Sequence, residues 1–519
     1  MNINEYRTFD GYGNNLNHPE WGQADTPLQR LAPNAYEDGI KKLAKRGKYN
    51  PNPRIISNAI FRQTSPMHNS NGLSDFVWAW GQFIDHELDL TSSNEDEEAN
   101  IPVPCDDPII ESLSIKSSEF IVPFSRSLTA PGTGTSKDNP RQQPNASSSY
   151  IDASMVYGSN KKRADALRTF DGTGRLKTST SDVGELLPYN VDALDNEDNN
   201  NPAKQRFFVA GDKRTNEHAV LTSLHTLFVR EHNRFCLDRV TCEPSLAGAD
   251  ERIYQQARKY VGGIIQSITF NDFLPTLLGK NGISAYTGYN EKINAGIANE
   301  FSTVAFRLGH SMLSSELVLG ERYRVIRLRD IFFKPHFIRL HGIEPILSGL
   351  SLQRMQEVNA KVVEDVRSFL FGPPNPTLRM LQDLVARNIQ RGRDHGIADF
   401  NTCRESFGLE RYKDFSGITR DKTVTNTLCD LYKDIDCIDP WVGALAEDHA
   451  PDSNVGPLIL AILRDQFQRV RDGDRFWYEN DNDLTIEQKI EIESTRLSDI
   501  IRRNTDVSDI SDNVFVVSG

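Results

Sequence analysis

The chain lacks any long apolar run. Its longest, from Val455 to Leu463, is broken by Gly456 and Pro457 and falls far short of the ~20 residues a bilayer crossing needs. No membrane span is therefore expected. Cysteine is scarce too: there are six in 519 residues and none stands in a C-x-x-C pair, which excludes a disulfide scaffold and a metal site of that spacing. Cys236 with Cys242, and Cys429 with Cys437, are close enough in sequence to pair in an oxidising compartment, and free thiols are the alternative. A concentrated basic stripe is also missing, and the formal net charge is -13, so nucleic acid is not an expected partner. Met1 to Arg7 lacks the basic and apolar regions of a signal peptide. A cytoplasmic protein, a mature or excised segment, and export by another signal all stay open.

What is present describes an ordinary globular protein: 38% of residues are hydrophobic and 25% charged. The length allows a core large enough to enclose a sizeable cofactor. The reading is one large, mainly α domain over residues 1–519 with minor short β pieces, in which 1–66, rich in Asn, Gly and Pro, is an irregular arm wrapped on the body. Leu73, Phe76, Val77, Trp80, Phe83, Ile84 and Leu88 recur at helical intervals after Ser74, a candidate N-cap. Gln82, Asp85 and His86 then share one face. A helix is also expected from Val220, with Thr215 or Asn216 as its cap, and others near 255–273, 301–312, 352–371, 378–390, 455–472 and 486–503. Phe207–Val209 and Tyr323–Ile326 read as β-like. The acidic run Asn94–Glu98 reads as a solvated loop, and 126–149 and 192–201 as long surface loops. Asn145-Ala-Ser147 has the form of a glycosylation acceptor.

A lone histidine on such a helix is usually structural, so function has to rest on a combination. Several blocks supply it in order: Tyr6-Arg-Thr-Phe-Asp-Gly-Tyr-Gly13, Trp80-Gly-Gln-Phe-Ile-Asp-His86, Tyr150-Ile-Asp-Ala-Ser154, His225-Thr-Leu-Phe-Val-Arg-Glu-His232, Ala305-Phe-Arg-Leu-Gly-His310 and Asn388-Ile-Gln-Arg-Gly-Arg-Asp-His395. Over nearly its whole length the chain resembles the animal-type haem peroxidases. The resemblance implies His86 as the distal acid/base, which must be neutral to accept a proton from peroxide. It implies Arg214 as a fixed distal charge, Gln82 as a hydrogen-bonding partner of distal water or halide, and His310 as the proximal iron ligand with Asn388 as the acceptor setting its tautomer. Arg307 and Arg391 would bind propionates of haem b. Asp85 and Glu217 would be esterified to haem methyl groups, or would remain hydrogen-bonded acids. His225, His232 and His395 have no ligand role in the family, and their reading is structural.

The same resemblance implies a calcium loop in which Ser148, Asp152 and Ser154 give side-chain oxygens and Tyr150 a backbone carbonyl. Glu87 stands where an aspartate normally adds a ligand. Two further departures are His218, where a methionine forms a sulfonium link to haem in myeloperoxidase, and Gly13, where mammalian members have a cysteine. The expected activity is reduction of hydrogen peroxide with oxidation of halides (iodide, bromide), thiocyanate or small phenolic donors. Rival readings are a fatty-acid dioxygenase of the cyclooxygenase-related type and a non-catalytic adhesion module. The first would have a tyrosine three residues before the proximal histidine, where this chain has Arg307; the second should lack one of His86, Arg214 and His310. A mononuclear hydrolase using Asp85 and His86 lacks a compact third ligand. The resemblance suggests a secreted or extracellular protein; the oligomeric state is open, a monomer being favoured.

Overall fold

The computed structural model describes residues 5–112, 120–198, 204–320 and 324–517. The cap position of helix α1, Phe76–Leu88, is Asp75 rather than the expected Ser74, and Ser74 Oγ accepts the Phe76 N–H from one residue earlier. That same hydroxyl donates to the Val514 carbonyl, and the Ser74 N–H donates to that of Phe515, so the C-terminal segment seats the start of α1. Its apolar stripe, including Trp80, Phe83 and Ile84, is fully buried.

Helix α2, Ala219–Cys242, crosses α1 and packs on α3, Asp250–Ile268, which runs on as a π-helical turn over Thr269–Phe273. A second π-helical turn, Phe301–Ala305, passes through a 3-10 turn at Phe306–Leu308 into α4, Gly309–Met312. Such irregular turns re-aim side chains and concentrate at functional sites. Next come α5, Glu344–Leu352; α6, Leu384–Asp394; α7, Pro457–Asp472; α8, Ile486–Ser494; and α9, Leu497–Asn504. The strands are short antiparallel pairs, among them β1, Ser93–Glu98, with β2, Ser125–Ser127, and β3, Glu316–Leu319, with β4, Arg324–Arg327. The mainly α reading holds. No helix among the described residues is long and apolar enough to cross a membrane.

Several local readings change. Residues 352–371 are mostly extended, with helix only at Glu364–Arg367. Their apolar spacing serves a segment bonded to the arm, Asn69 N–H to the Met355 carbonyl and Val362 N–H to that of Phe61. The arm itself contains a helix, Pro53–Ile60, started by the Asn52 side chain and a proline in its first turn. The acidic run is a strand rather than a loop, and Glu97 pairs with Arg141. Helices α8 and α9 divide the single stretch expected over 486–503 because Thr495 is extended. Phe207–Val209 forms only a bridge through Phe208 to Tyr189; Tyr323 and residues 199–201 lie outside the described residues.

Asn145 is buried, and its amide bonds to Leu88 and Leu90 of the main chain, so this sequon is not an accessible acceptor. All six cysteines are free. Cys236 and Cys242 lie on α2 about 9 Å apart along its axis, too far for a disulfide. Buried ion pairs pin the arm to the body. Arg7 grips Asp474 with two hydrogen bonds of 2.8 and 2.6 Å. Arg46 holds Asp439, and Arg54 bridges Asp107 and Asp383.

Candidate active site

Helix α1, the turn leading into α2, the 306–313 segment and α6 enclose a cavity of about 230 Å³. Gln82, Asp85, His86, Arg214, Glu217, His218, Arg307 and His310 line it. The rest of the wall is apolar, with Trp78, Phe273, Leu277, Phe332, Leu370 and Phe371.

His86 is 4% exposed, and no hydrogen bond reaches its Nδ1. Asp212 Oδ1 stands 3.9 Å from Nδ1 and Glu217 Oε2 3.9 Å from Nε2. Burial, followed by the Arg214 charge, holds this imidazole well below its ordinary pKa, so it is neutral at physiological pH. Arg214 is fixed by Asp212, which accepts from its Nε at 2.9 Å and its Nη2 at 2.8 Å. Its Nη2 also donates to the His86 carbonyl at 3.2 Å, tying the guanidinium to α1. Asp212 was not singled out from sequence; its spacing two residues before Arg214 was the available signal.

Asp85 and Glu217 are partly buried carboxyls with raised pKa values. Desolvation raises that of Asp85 first, then the Asp89 charge. Glu217 is pushed up to about 7 by burial and by Glu197. The cap of α2 is His218, not Thr215 or Asn216. Its Nδ1 accepts the Leu221 N–H at 3.2 Å, while the Thr215 hydroxyl is turned to the Asp212 carbonyl and the Asn216 amide to Phe208.

On another wall, His310 is brought in by the π-to-3-10 transition of Phe301–Leu308. Burial pushes it down to about 3, and its Nδ1 faces Asn388 Nδ2 at 2.7 Å. This reverses the expected polarity of that contact: the Asn388 oxygen is taken by Arg307 Nη1 at 3.0 Å, which turns the amide nitrogen toward the histidine. Arg391 bonds Ser127 and Asp394. One turn before it on α6, Arg387 donates to Gln382 and forms no ion pair with a carboxylate among the described residues. Burial and the neighbouring Arg307 lower its pKa. Sequence reading missed this third cation, although its four-residue spacing from Arg391 was visible.

The three histidines without an expected ligand role lie outside the cavity lining. His232 sits between Tyr157 and the Gly174 carbonyl, His395 between Asn299 and Ser127, and His225 is packed edge-on against Phe83.

The residues expected to form a calcium loop lie close together, and Glu87 meets them through hydrogen bonds. Glu87 Oε1 accepts from the Asp152 N–H at 2.7 Å and from the Ala153 N–H, and Oε2 accepts from the Met155 N–H at 2.9 Å and the Ser154 hydroxyl. Both carboxylate oxygens of Glu87 thus face donors of the loop, and the Ser154 hydroxyl also lies 3.2 Å from the Glu87 main-chain carbonyl. Its extra methylene carries the carboxylate into the loop's N–H groups. Ser148 Oγ donates to Asp152 at 3.0 Å, leaving the remaining expected donors grouped in that loop.

A mainly α body with three histidines, two acids of raised pKa and two arginines lining one cavity defines a protein built to hold a large anionic cofactor. The haem fits this donor set. Asp85 shows no hydrogen bond from its carboxyl and His310 none from its Nε2, so both are free to meet a cofactor. A sequence model of the animal haem peroxidase family matches residues 6–515. Peroxinectin A of Dictyostelium discoideum is 36% identical over 528 residues, which cover 99% of this chain and 96% of that protein. The solved structure of Peroxidase A from Dictyostelium discoideum aligns with a TM-score of 0.89 at 34% identity, covering 99% of both chains. A fatty acid alpha-dioxygenase of Arabidopsis thaliana, at TM-score 0.80 and 20% identity over 99% of this chain and 83% of that one, shares the fold alone. The chain belongs to the animal haem peroxidase family. It is a peroxidase, with haem as its cofactor and hydrogen peroxide and a reducing donor as its substrates.

Proposed function

We propose that His86 is the distal acid/base of this peroxidase and that its donors are small: iodide, bromide, thiocyanate or simple phenols. The observation that carries this reading is a neutral, buried imidazole with an unpartnered Nδ1 in the same cavity as His310. Haem b, when bound, supplies the iron at which peroxide is reduced and donors are oxidised. The ionised Asp212 favours the His86 proton on Nδ1, which leaves the Nε2 lone pair toward the cavity to accept a proton from peroxide and return it to the departing oxygen. Arg214, oriented by Asp212, stabilises negative charge as the O–O bond breaks. Gln82 offers amide hydrogens to water or halide.

His310 is the residue that would hold the haem iron. Coordination through Nε2 requires an acceptor at Nδ1, which a half-turn of the Asn388 amide provides once Arg307 turns to a propionate. Arg391 is the second propionate anchor. Asp85 and Glu217 are proposed as the ester attachments, since an ester is neutral at every pH and removes the cost of a buried carboxylate. Calcium is assigned to Ser148, Asp152, Ser154 and the Tyr150 carbonyl, with Glu87 bracing the loop. An extracellular, monomeric protein is the accompanying reading, testable by fractionation and by sizing.

His86→Ala tests the proposal. It should retain the Soret band while its reaction with peroxide slows by ~10²–10⁴; an unchanged rate would remove His86 from the mechanism. Oxygen uptake driven by a polyunsaturated fatty acid, without halide oxidation, would favour the dioxygenase reading. Failure to acquire a Soret band with added haem would favour the adhesion module.

A further inference from the structure

His218 caps α2, and its other ring nitrogen meets a residue of the cavity. Nδ1 accepts the Leu221 N–H at 3.2 Å, so it carries no proton. Burial pushes the ring down to about 3, and a neutral imidazole must then place its single proton on Nε2. Nε2 lies 2.8 Å from Gln82 Oε1 and therefore donates to it. The ring cannot readily swivel, because Trp78 and Phe332 meet it edge-on at 5.7 and 5.9 Å. With its oxygen held, Gln82 turns its amide nitrogen the other way, into the cavity that it lines. Two hydrogen bonds thus run in one direction, from Leu221 through His218 to Gln82. An amide has two N–H groups, which Gln82 presents to a cavity ligand.

We infer that His218 is a positioning residue that locks the Gln82 amide with its N–H groups toward the cavity, making this wall a hydrogen-bond donor to small anions. The inference rests on the proposed role of Gln82 toward water or halide. Without a donor at position 218 the amide can turn over and present its oxygen, which repels an anion. The departure from methionine at this position thereby acquires a function of its own.

Two substitutions separate the duties of the ring. His218→Asn places an acceptor where Nδ1 stands and preserves the cap, but it ends short of Gln82. His218→Gln places a donor where Nε2 stands and gives up the cap. The probe is fluoride, titrated optically against ferric holoenzyme, alongside thermal unfolding. His218→Asn should unfold like wild type and bind fluoride ~10-fold more weakly, in line with loss of one hydrogen bond to a charged partner. His218→Gln should bind within about threefold of wild type and unfold at a lower temperature. Gln82→Leu should weaken fluoride as His218→Asn does, and the double variant should show no additional loss. Normal fluoride binding by His218→Asn beside a weakened Gln82→Leu would overturn the inference, as would losses that multiply in the double variant. Normal binding by Gln82→Leu would instead overturn the reading of Gln82 on which the inference stands.

Discussion

Adjacent residues of α1 live in opposite circumstances. Asp85 and His86 line the cavity, where the carboxyl has no hydrogen bond and the Nδ1 of the imidazole has no partner. Glu87, the next residue, points to the far side and accepts from three backbone N–H groups and one hydroxyl. A buried polar group left unpaired costs about 1–3 kcal/mol, so the cavity side carries a standing cost that cofactor and substrate can relieve. The loop side has no such need. One face of the helix is arranged for chemistry, and the other for holding a loop.

The sharpest way to break this contrast is to remove each neighbour in turn. His86→Ala should cost the ~10²–10⁴ in peroxide rate stated above while moving the urea unfolding midpoint little, because no protein hydrogen bond to its Nδ1 is lost. Glu87→Ala should do the reverse. It leaves three loop N–H groups without their acceptor and should destabilise the protein by roughly 3–5 kcal/mol, with the rate per folded molecule retained. A Glu87→Ala protein as stable as wild type would dissolve the contrast.

A smaller effect is expected from pH. Glu217 has a folded pKa of about 7 against 4.5, so the folded state holds its proton more tightly than the unfolded chain. The stability this contributes is complete below about pH 4.5 and is lost as pH rises through 7. Haem-free protein should therefore be less stable at pH 8 than at pH 5 by roughly 2–3 kcal/mol from this group. Glu217→Gln should flatten that slope, and an unchanged slope would reject the assignment. Asp85→Ala and Glu217→Ala should each make haem easier to extract with acidic solvent, measured as the fraction released; equal release from wild type would exclude the esters. The smallest effect is reserved for chelation. Because Glu87 already braces the 152–155 loop, EGTA should shift thermal unfolding less than Glu87→Ala does, and a larger shift would make calcium the principal support.

The cavity residues were legible because His86, His310 and Arg307 stand in ordered sequence blocks and the resemblance they carry implies Arg214, and α1 was legible because its apolar spacing is regular. Other features depend on partners that spacing does not encode. The apolar residues of 352–371 look helical until the arm supplies backbone partners for an extended chain. Thr215 and Asn216 are good capping types, yet their side chains are taken by Asp212 and Phe208, which leaves the cap to His218. Glu87 in the calcium position looked like a ligand with a longer reach. Only the loop's N–H groups reveal where that extra reach goes.

The bond between Ser74 and Val514 spans 440 residues of sequence. A ribosome adding ~5–20 residues per second makes α1 well before it makes the segment that seats it. For much of synthesis the distal wall therefore exists without the segment that fixes its start. Haem offered to a growing chain would meet an unfinished pocket, whereas haem offered after Phe515 has emerged meets a closed one.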